Sequence, residues 1–119
     1  MEQENIEYEW IQLSSQLQEL FGKTPDLKTV LFLIGVQELG KGPQHFTKEE
    51  KEDLMHIAVC KVLSIAGFYE LKGMDQDGWP IWELKKKLPF LNMLEQETLL
   101  KSHVIDYFKQ EVFREQDNH

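Results

Sequence analysis

Apolar residues recur along the first part of the chain at the three- and four-residue spacing of a helix that packs through one face. The members of this stripe are Ile6, Trp10, Leu13, Leu17 and Leu20. The pattern predicts a helix over residues 4–21, and Gly22 suits its C-terminal cap. Because the stripe covers fewer than three heptads, we favour packing within the chain over the seam of a coiled-coil dimer.

A nearly continuous apolar run predicts a second helix that is buried on most sides. The run lies in TPDLKTVLFLIGVQELG, where Thr24 suits an N-cap and Pro25 suits the first helical position. We therefore expect a helix over residues 25–39 that ends at Gly40 and lies at the centre of the fold.

A capping box marks the start of a third helix. Thr47 and Glu50 have the spacing at which each side chain bonds the other residue's backbone N–H. The apolar arc that follows is wide, so this helix, expected over residues 47–67, also lies mostly inside.

After the third helix the apolar period changes from helical to alternating. The segment GFYELKGMDQDGWPIWELKKKLP predicts a β-hairpin over about residues 69–86, with Asp77 and Gly78 as a two-residue turn. This turn would pair Gln76 with Trp79, Met74 with Ile81, Lys72 with Glu83, Glu70 with Lys85, Leu71 with Leu84, Gly73 with Trp82 and Tyr69 with Lys86. Such a register sorts the hairpin into a largely apolar face and a mostly charged face.

A second capping box, Asn92 with Glu95, opens the last helix. Its apolar stripe is Leu100, Val104, Tyr107 and Phe108. The helix is expected over residues 92–113, and the polar tail 114–119 is expected to fray. The fold class expected from these patterns is mainly α (α+β): a four-helix domain, single over residues 1–119, with a β-hairpin inserted between helices 3 and 4.

Composition indicates a globular protein of a reducing compartment. The 119 residues are 41% hydrophobic and include one cysteine, which cannot form an internal disulfide. The N-terminal sequence is acidic where a secretory signal would be basic, and the apolar runs are too short to cross a bilayer. We expect a cytoplasmic protein without a membrane segment.

The distribution of charge disfavours nucleic acid as a partner. The net charge is −8, and both ends of the chain carry the excess of acidic residues. A helix followed by a hairpin with Lys72 and the triplet at 85–87 resembles a winged-helix domain. However, no basic recognition helix precedes it, and phosphate backbones repel an acidic surface.

One stripe of helix 3 could bind a metal or act through a thiol. Asp53, His56 and Cys60 are three and four residues apart, which places a carboxylate, an imidazole and a thiol on one side of the helix. With His103 as a further ligand they could hold zinc or another divalent metal. The other interpretation is that Cys60 is a small buried apolar residue at the edge of a core helix.

The expected hairpin also contains a candidate surface for a protein partner. In the register above, Trp79, Met74 and Ile81 form an apolar cluster on the charged face, and tryptophan is frequent at interface anchors. The cluster needs cover, from the chain itself or from a partner. No catalytic motif is present, so we favour a non-enzymatic interaction or assembly module without a cofactor, with a homodimer as one form of the assembly. The alternative is a metal-binding or thiol-dependent protein that uses the helix 3 stripe.

Three segments carry a family resemblance: LFLIGVQELGKG, FTKEEKEDLMHIAVCKVLS and GFYELKGMDQDGWPIWE. They resemble a family of small, functionally uncharacterised proteins of Bacteroidetes-type bacteria, over about residues 28–108. The resemblance implies a bacterial cytoplasmic protein and assigns a role to no residue.

Overall fold

A computed structural model describes residues 2–42 and 44–112. Its helices and strands, in chain order, are α1 (Glu2–Phe21), α2 (Leu27–Leu39), α3 (Lys48–Ser64), β1 (Tyr69–Met74), β2 (Pro80–Leu84) and α4 (Met93–Tyr107). A π-helical turn, Phe108–Val112, continues α4. The expected fold class is confirmed: the protein is mainly α, and a two-stranded antiparallel hairpin lies between the third and fourth helices. Phe113 and the tail 114–119 lie outside the described residues.

The chain divides into two compact units. Within the described residues, one unit comprises 2–26 and 90–112, and the other comprises 27–42 and 44–89. The expectation of a single domain stays a prediction, and each unit is described by itself below.

In the first unit, α1 packs against α4. The expected stripe of α1 is buried at Trp10, Leu13 and Leu17, so it serves packing within the chain, while the side chain of Leu20 lies outside the described residues. On α4 and the turn after it, the buried residues are Val104, Ile105, Tyr107 and Phe108. Lys109 on that turn donates a hydrogen bond to Glu9 of α1 at 2.7 Å.

The start of α2 differs from the expectation. The helix begins at Leu27, two residues beyond Pro25, and Thr24 is not its N-cap. The Thr24 hydroxyl instead donates a hydrogen bond to the side-chain oxygen of Gln18 at 3.0 Å. Both predicted capping boxes are confirmed, with Thr47 and Glu50 at α3 and Asn92 and Glu95 at α4.

In the second unit, α2 and α3 form the core on which the hairpin is placed. Buried residues of α2 are Val30, Leu31, Ile34, Gly35 and Leu39, and those of α3 are Leu54, Ile57, Ala58, Cys60, Val62 and Leu63. The two helices therefore bury a large apolar surface against each other, as their wide apolar arcs predict.

The predicted register of the hairpin is wrong. The observed pairs are Tyr69 with Leu84, Glu70 with Glu83, Leu71 with Trp82, Gly73 with Ile81 and Met74 with Pro80. A β-bulge between Leu71 and Gly73 adds a residue to β1, and Gly73 has a φ of 148°, a value that favours glycine. The connection runs from Asp75 to Trp79 instead of using two residues.

The side chain of Asp75 organises this longer turn. Its Oδ1 accepts hydrogen bonds from the backbone N–H groups of Asp77 and Trp79, both at 2.9 Å. The backbone N–H of Asp75 also donates to the carbonyl of Trp79 at 2.8 Å. An aspartate side chain that accepts hydrogen bonds from backbone N–H groups later in the chain stabilises a turn. This turn therefore does not need the two-residue type I′ geometry.

Candidate functional site

The structure does not bring together the three residues predicted to bind a partner. Trp79 is partly buried against the core cluster of Leu39, Leu54 and Ile57. Met74 pairs with Pro80, so these two residues share a face of the hairpin. Ile81 follows Pro80 in β2, and consecutive residues of a strand point to opposite faces, so Met74 and Ile81 lie on opposite faces. Trp79 is thus covered within its own unit, and the proposed cluster does not form.

The bulge assembles a different apolar surface. Directly paired residues share a face, and the extra residue in β1 brings Met74 onto the same face as Leu71, three positions earlier. This apolar hairpin face consists of Tyr69, Leu71, Met74, Pro80, Trp82 and Leu84. Strict alternation of side chains along β1 would have placed Met74 on the opposite face. For this reason the sequence pattern did not predict the apolar hairpin face in this form.

Three side chains of the apolar hairpin face remain substantially exposed. The exposed fractions are 45% for Leu71, 59% for Met74 and 51% for Leu84. Between them, the indole nitrogen of Trp82 is buried and has no hydrogen-bond partner among the described residues. The face therefore has a covered centre and an apolar margin in contact with water.

The opposite face carries a network of paired charges. Lys72 lies 3.3 Å from Glu70 and 3.4 Å from Glu83, and Lys85 lies 2.9 Å from Glu83. The pKa of Glu83 is lowered, mainly by the hydrogen bond that Lys85 donates to it. The pKa of Lys72 is raised, mainly by the hydrogen bond that it donates to Glu70. Both groups are therefore charged at neutral pH, and the charges on this face balance one another.

The helix 3 stripe is split between exposed and buried groups. Asp53 and His56 are exposed, whereas Cys60 is fully buried. The Cys60 sulfur lies 3.5 Å from His56 Nε2. Burial raises the pKa of the Cys60 thiol to about 11, so the thiol is protonated at neutral pH, whereas the thiolate is the nucleophile and the metal ligand.

His103, the proposed further ligand, belongs to the other unit. Its Nδ1 lies 4.0 Å from Asp106 on the same helix, and burial lowers its pKa against the opposing effect of that carboxylate. Among the described residues, no three or more histidine, cysteine or acidic side chains are grouped so that they could hold a metal ion.

A second exposed apolar segment lies where α4 begins. Phe90, Met93 and Leu94 have exposed fractions of 104%, 86% and 72%. No pattern in the sequence singled them out, although the capping box at Asn92 places Met93 and Leu94 in the first helical turn. That position precedes the buried part of the helix, which begins at Val104.

In the first unit, a small cleft lies between α1 and the end of α4 with the π-helical turn that follows it. Its volume is about 100 Å³, and its lining includes Leu13, Ile105 and Phe108 with the Glu9–Lys109 pair. Pockets for drug-sized ligands and cofactors usually measure about 300–1,000 Å³. This cleft is too small to indicate such a ligand.

Comparisons of the chain with protein-family models, curated proteins and solved structures find no match. The resemblance to proteins of Bacteroidetes-type bacteria therefore stays a prediction. Within the part of the chain that the structure describes, a search for helices with the length and hydropathy needed to cross a membrane finds none.

Proposed function

We propose that the protein is a non-enzymatic interaction or assembly module of the bacterial cytoplasm, and that it binds its protein partner through the apolar hairpin face. The observation that carries this proposal is the exposure of Leu71, Met74 and Leu84, at 45–59%, on one face of a two-stranded hairpin. Apolar side chains that lie together at a surface mark sites of protein association.

The energy available from this surface supports a modest affinity. Full burial of a leucine or methionine side chain contributes roughly 1.5–3 kcal/mol. Because these three side chains are already about half-buried, completing their burial would contribute on the order of 1 kcal/mol each. The sum corresponds to roughly two orders of magnitude in a dissociation constant, which is enough to decide whether a partner binds.

The paired charges on the opposite face suit a role in which that face stays in water. The two acidic side chains of this network, Glu70 and Glu83, are balanced by two lysines, Lys72 and Lys85, so the network requires no charged partner. Binding through the apolar face would leave this network solvated and intact.

A photo-crosslinking experiment in the native host tests the proposal. A benzophenone side chain is introduced at Met74 or at Leu84, and a matched control carries it at Gln37, an exposed position on α2. We expect a protein adduct of defined mass from both hairpin positions and none from position 37. Equal labelling at all three positions, or no adduct from the hairpin, would refute the proposal.

A further inference from the structure

The end of α3 is joined directly to the end of β2. After α3 the chain reverses through Gly67, whose φ of 85° favours glycine, and the Phe68 N–H donates to the carbonyl of Leu63 at 3.1 Å. The Phe68 carbonyl then accepts hydrogen bonds from the backbone N–H groups of Lys85 at 2.8 Å and Lys86 at 3.4 Å. The base of the hairpin is therefore built onto the turn that ends the helix.

The side chain of Lys86 adds two contacts at the same place. Its ammonium group donates a hydrogen bond to the carbonyl of Ala66 at 3.1 Å and lies 4.4 Å from the centre of the Phe68 ring. A cation at the C-terminal end of a helix and a cation over an aromatic face each favour the bound arrangement by about two- to fivefold at an exposed site. Lys86 thus fastens the hairpin to α3 through its charge, and Lys86, Ala66 and Phe68 together form the Lys86 latch.

The hairpin depends on such attachments because it buries little surface of its own. Every residue of β1 and β2 is exposed or only partly buried, and an isolated two-stranded hairpin is at best marginally stable in water. At the other end of the hairpin, Trp79 packs against the core cluster and Lys41 donates a hydrogen bond to the carbonyl of Asp77. Segments with few buried apolar contacts open locally, at a lower free-energy cost than the core.

From these observations we infer that the hairpin opens and closes as a local unit, and that the Lys86 latch holds it closed. The apolar hairpin face combines Leu71 and Met74 of β1 with Leu84 of β2, so this surface exists only while the two strands are paired. The latch therefore controls which fraction of the molecules presents the surface, and a partner that binds the closed hairpin stabilises the latch in turn. This consequence for binding rests on the proposed function, whereas the latch itself does not.

Native-state hydrogen exchange of the purified chain tests the inference. In the parent chain, we expect the amides that bond across β1 and β2 to open more readily than those of α3 around the buried Ile57. Their opening should also depend more weakly on urea, because a local opening exposes little surface. Identical opening constants and urea dependence in the two regions would overturn the inference, because the hairpin would then open only when the whole second unit unfolds.

Three substitutions separate the latch from a general effect of charge. Lys86→Met keeps the length of the side chain but removes the ammonium group, so it should raise the exchange rates of the cross-strand amides on the order of tenfold. Lys86→Arg retains a cation that can donate a hydrogen bond and stack on an aromatic ring, and it should keep the rates within about threefold of the parent.

The matched control is Lys87→Met, which makes the same change at the next residue, also exposed. It should leave the exchange rates of the cross-strand amides unchanged. Equal effects of Lys86→Met and Lys87→Met would overturn the inference, as would a failure of Lys86→Arg to keep the slower exchange of the parent chain.

The latch and the proposed function fail in different ways. The exchange measurement needs no partner, so unchanged rates in Lys86→Met would refute the latch and leave the interaction module untouched. If the exchange rates respond as expected but benzophenone at Met74 and at Leu84 forms no adduct, the latch stands and the hairpin is not the binding surface.

Discussion

Gly35 of α2 lies directly against the backbone of Leu54 in α3. A Cβ atom at position 35 would lie 2.7 Å from the carbonyl carbon of Leu54 and 2.9 Å from its Cβ. Real side chains do not approach that closely, so the two helices can pack at this separation only because position 35 has no side chain.

Gly35→Ala is therefore expected to destabilise the second unit. Alanine favours a helix over glycine by up to about 1 kcal/mol, but the clash involves backbone atoms that cannot rotate away, and overpacking typically costs about 1–3 kcal/mol. We expect a net loss of about 1–2 kcal/mol in the free energy of unfolding, measured with urea. Gln37→Ala, at an exposed position of the same helix, should change it little. An unchanged or raised stability of Gly35→Ala would show that the helices can move apart.

Trp79→Ala separates a core role of this tryptophan from a role in partner binding. Because Trp79 packs against Leu39, Leu54 and Ile57, its removal should lower the free energy of unfolding by about 2–3 kcal/mol, somewhat less than for a fully buried tryptophan. Trp79→Phe should cost less because much of the contact remains. A stability equal to that of the parent chain, together with a loss of association, would instead place Trp79 at an interface.

Local signals predicted much of the fold because they depend on residues close together in the chain. The capping boxes at Thr47 and Asn92 satisfy backbone groups within a single turn, so their spacing alone identified the starts of α3 and α4. The stripe of α1 predicted burial because every third or fourth residue of a helix shares a face.

The sequence patterns did not predict features that depend on contact between one helix or strand and another. The role of Gly35 follows from the position of Leu54, which is nineteen residues later in the chain. In the hairpin, the bulge before Gly73 and the turn organised by Asp75 shift the register. That shift alone separated Met74 from Ile81, and it changed which residues form the candidate site.

The two threonines considered as N-caps allow a matched comparison. The Thr47 hydroxyl accepts a hydrogen bond from the Glu50 N–H at 3.1 Å, while the Thr24 hydroxyl donates to the exposed side chain of Gln18. Thr47→Ala should lower the free energy of unfolding by about 1 kcal/mol, and Thr24→Ala by less than about 0.5 kcal/mol. Chemical denaturation of both variants measures the difference. Equal losses would mean that Thr24 contributes to a helix start after all.

The Cys60 thiol should be protected from alkylation until its surroundings open. The side chain is 0% exposed, and its raised pKa keeps the thiolate scarce at neutral pH. We expect iodoacetamide to label the native protein far more slowly than the urea-unfolded protein at pH 8. Rapid, complete labelling of the native chain would restore the thiol-dependent function as a serious alternative.

The same thiol should make stability decrease in alkaline solution. Its pKa is about 11 in the folded chain against 9.0 for an unperturbed thiol, so the folded state binds the proton more tightly than the unfolded state. Its contribution to stability is therefore fully present below pH 9 and is lost as the pH rises toward 11, by on the order of 2 kcal/mol. Lysine and tyrosine side chains also titrate in this range, so the measurement compares the parent chain with Cys60→Ala at each pH. The difference in unfolding free energy between the two should shrink from pH 8 to pH 11. A constant difference would show that burial does not hold the thiol in its protonated form.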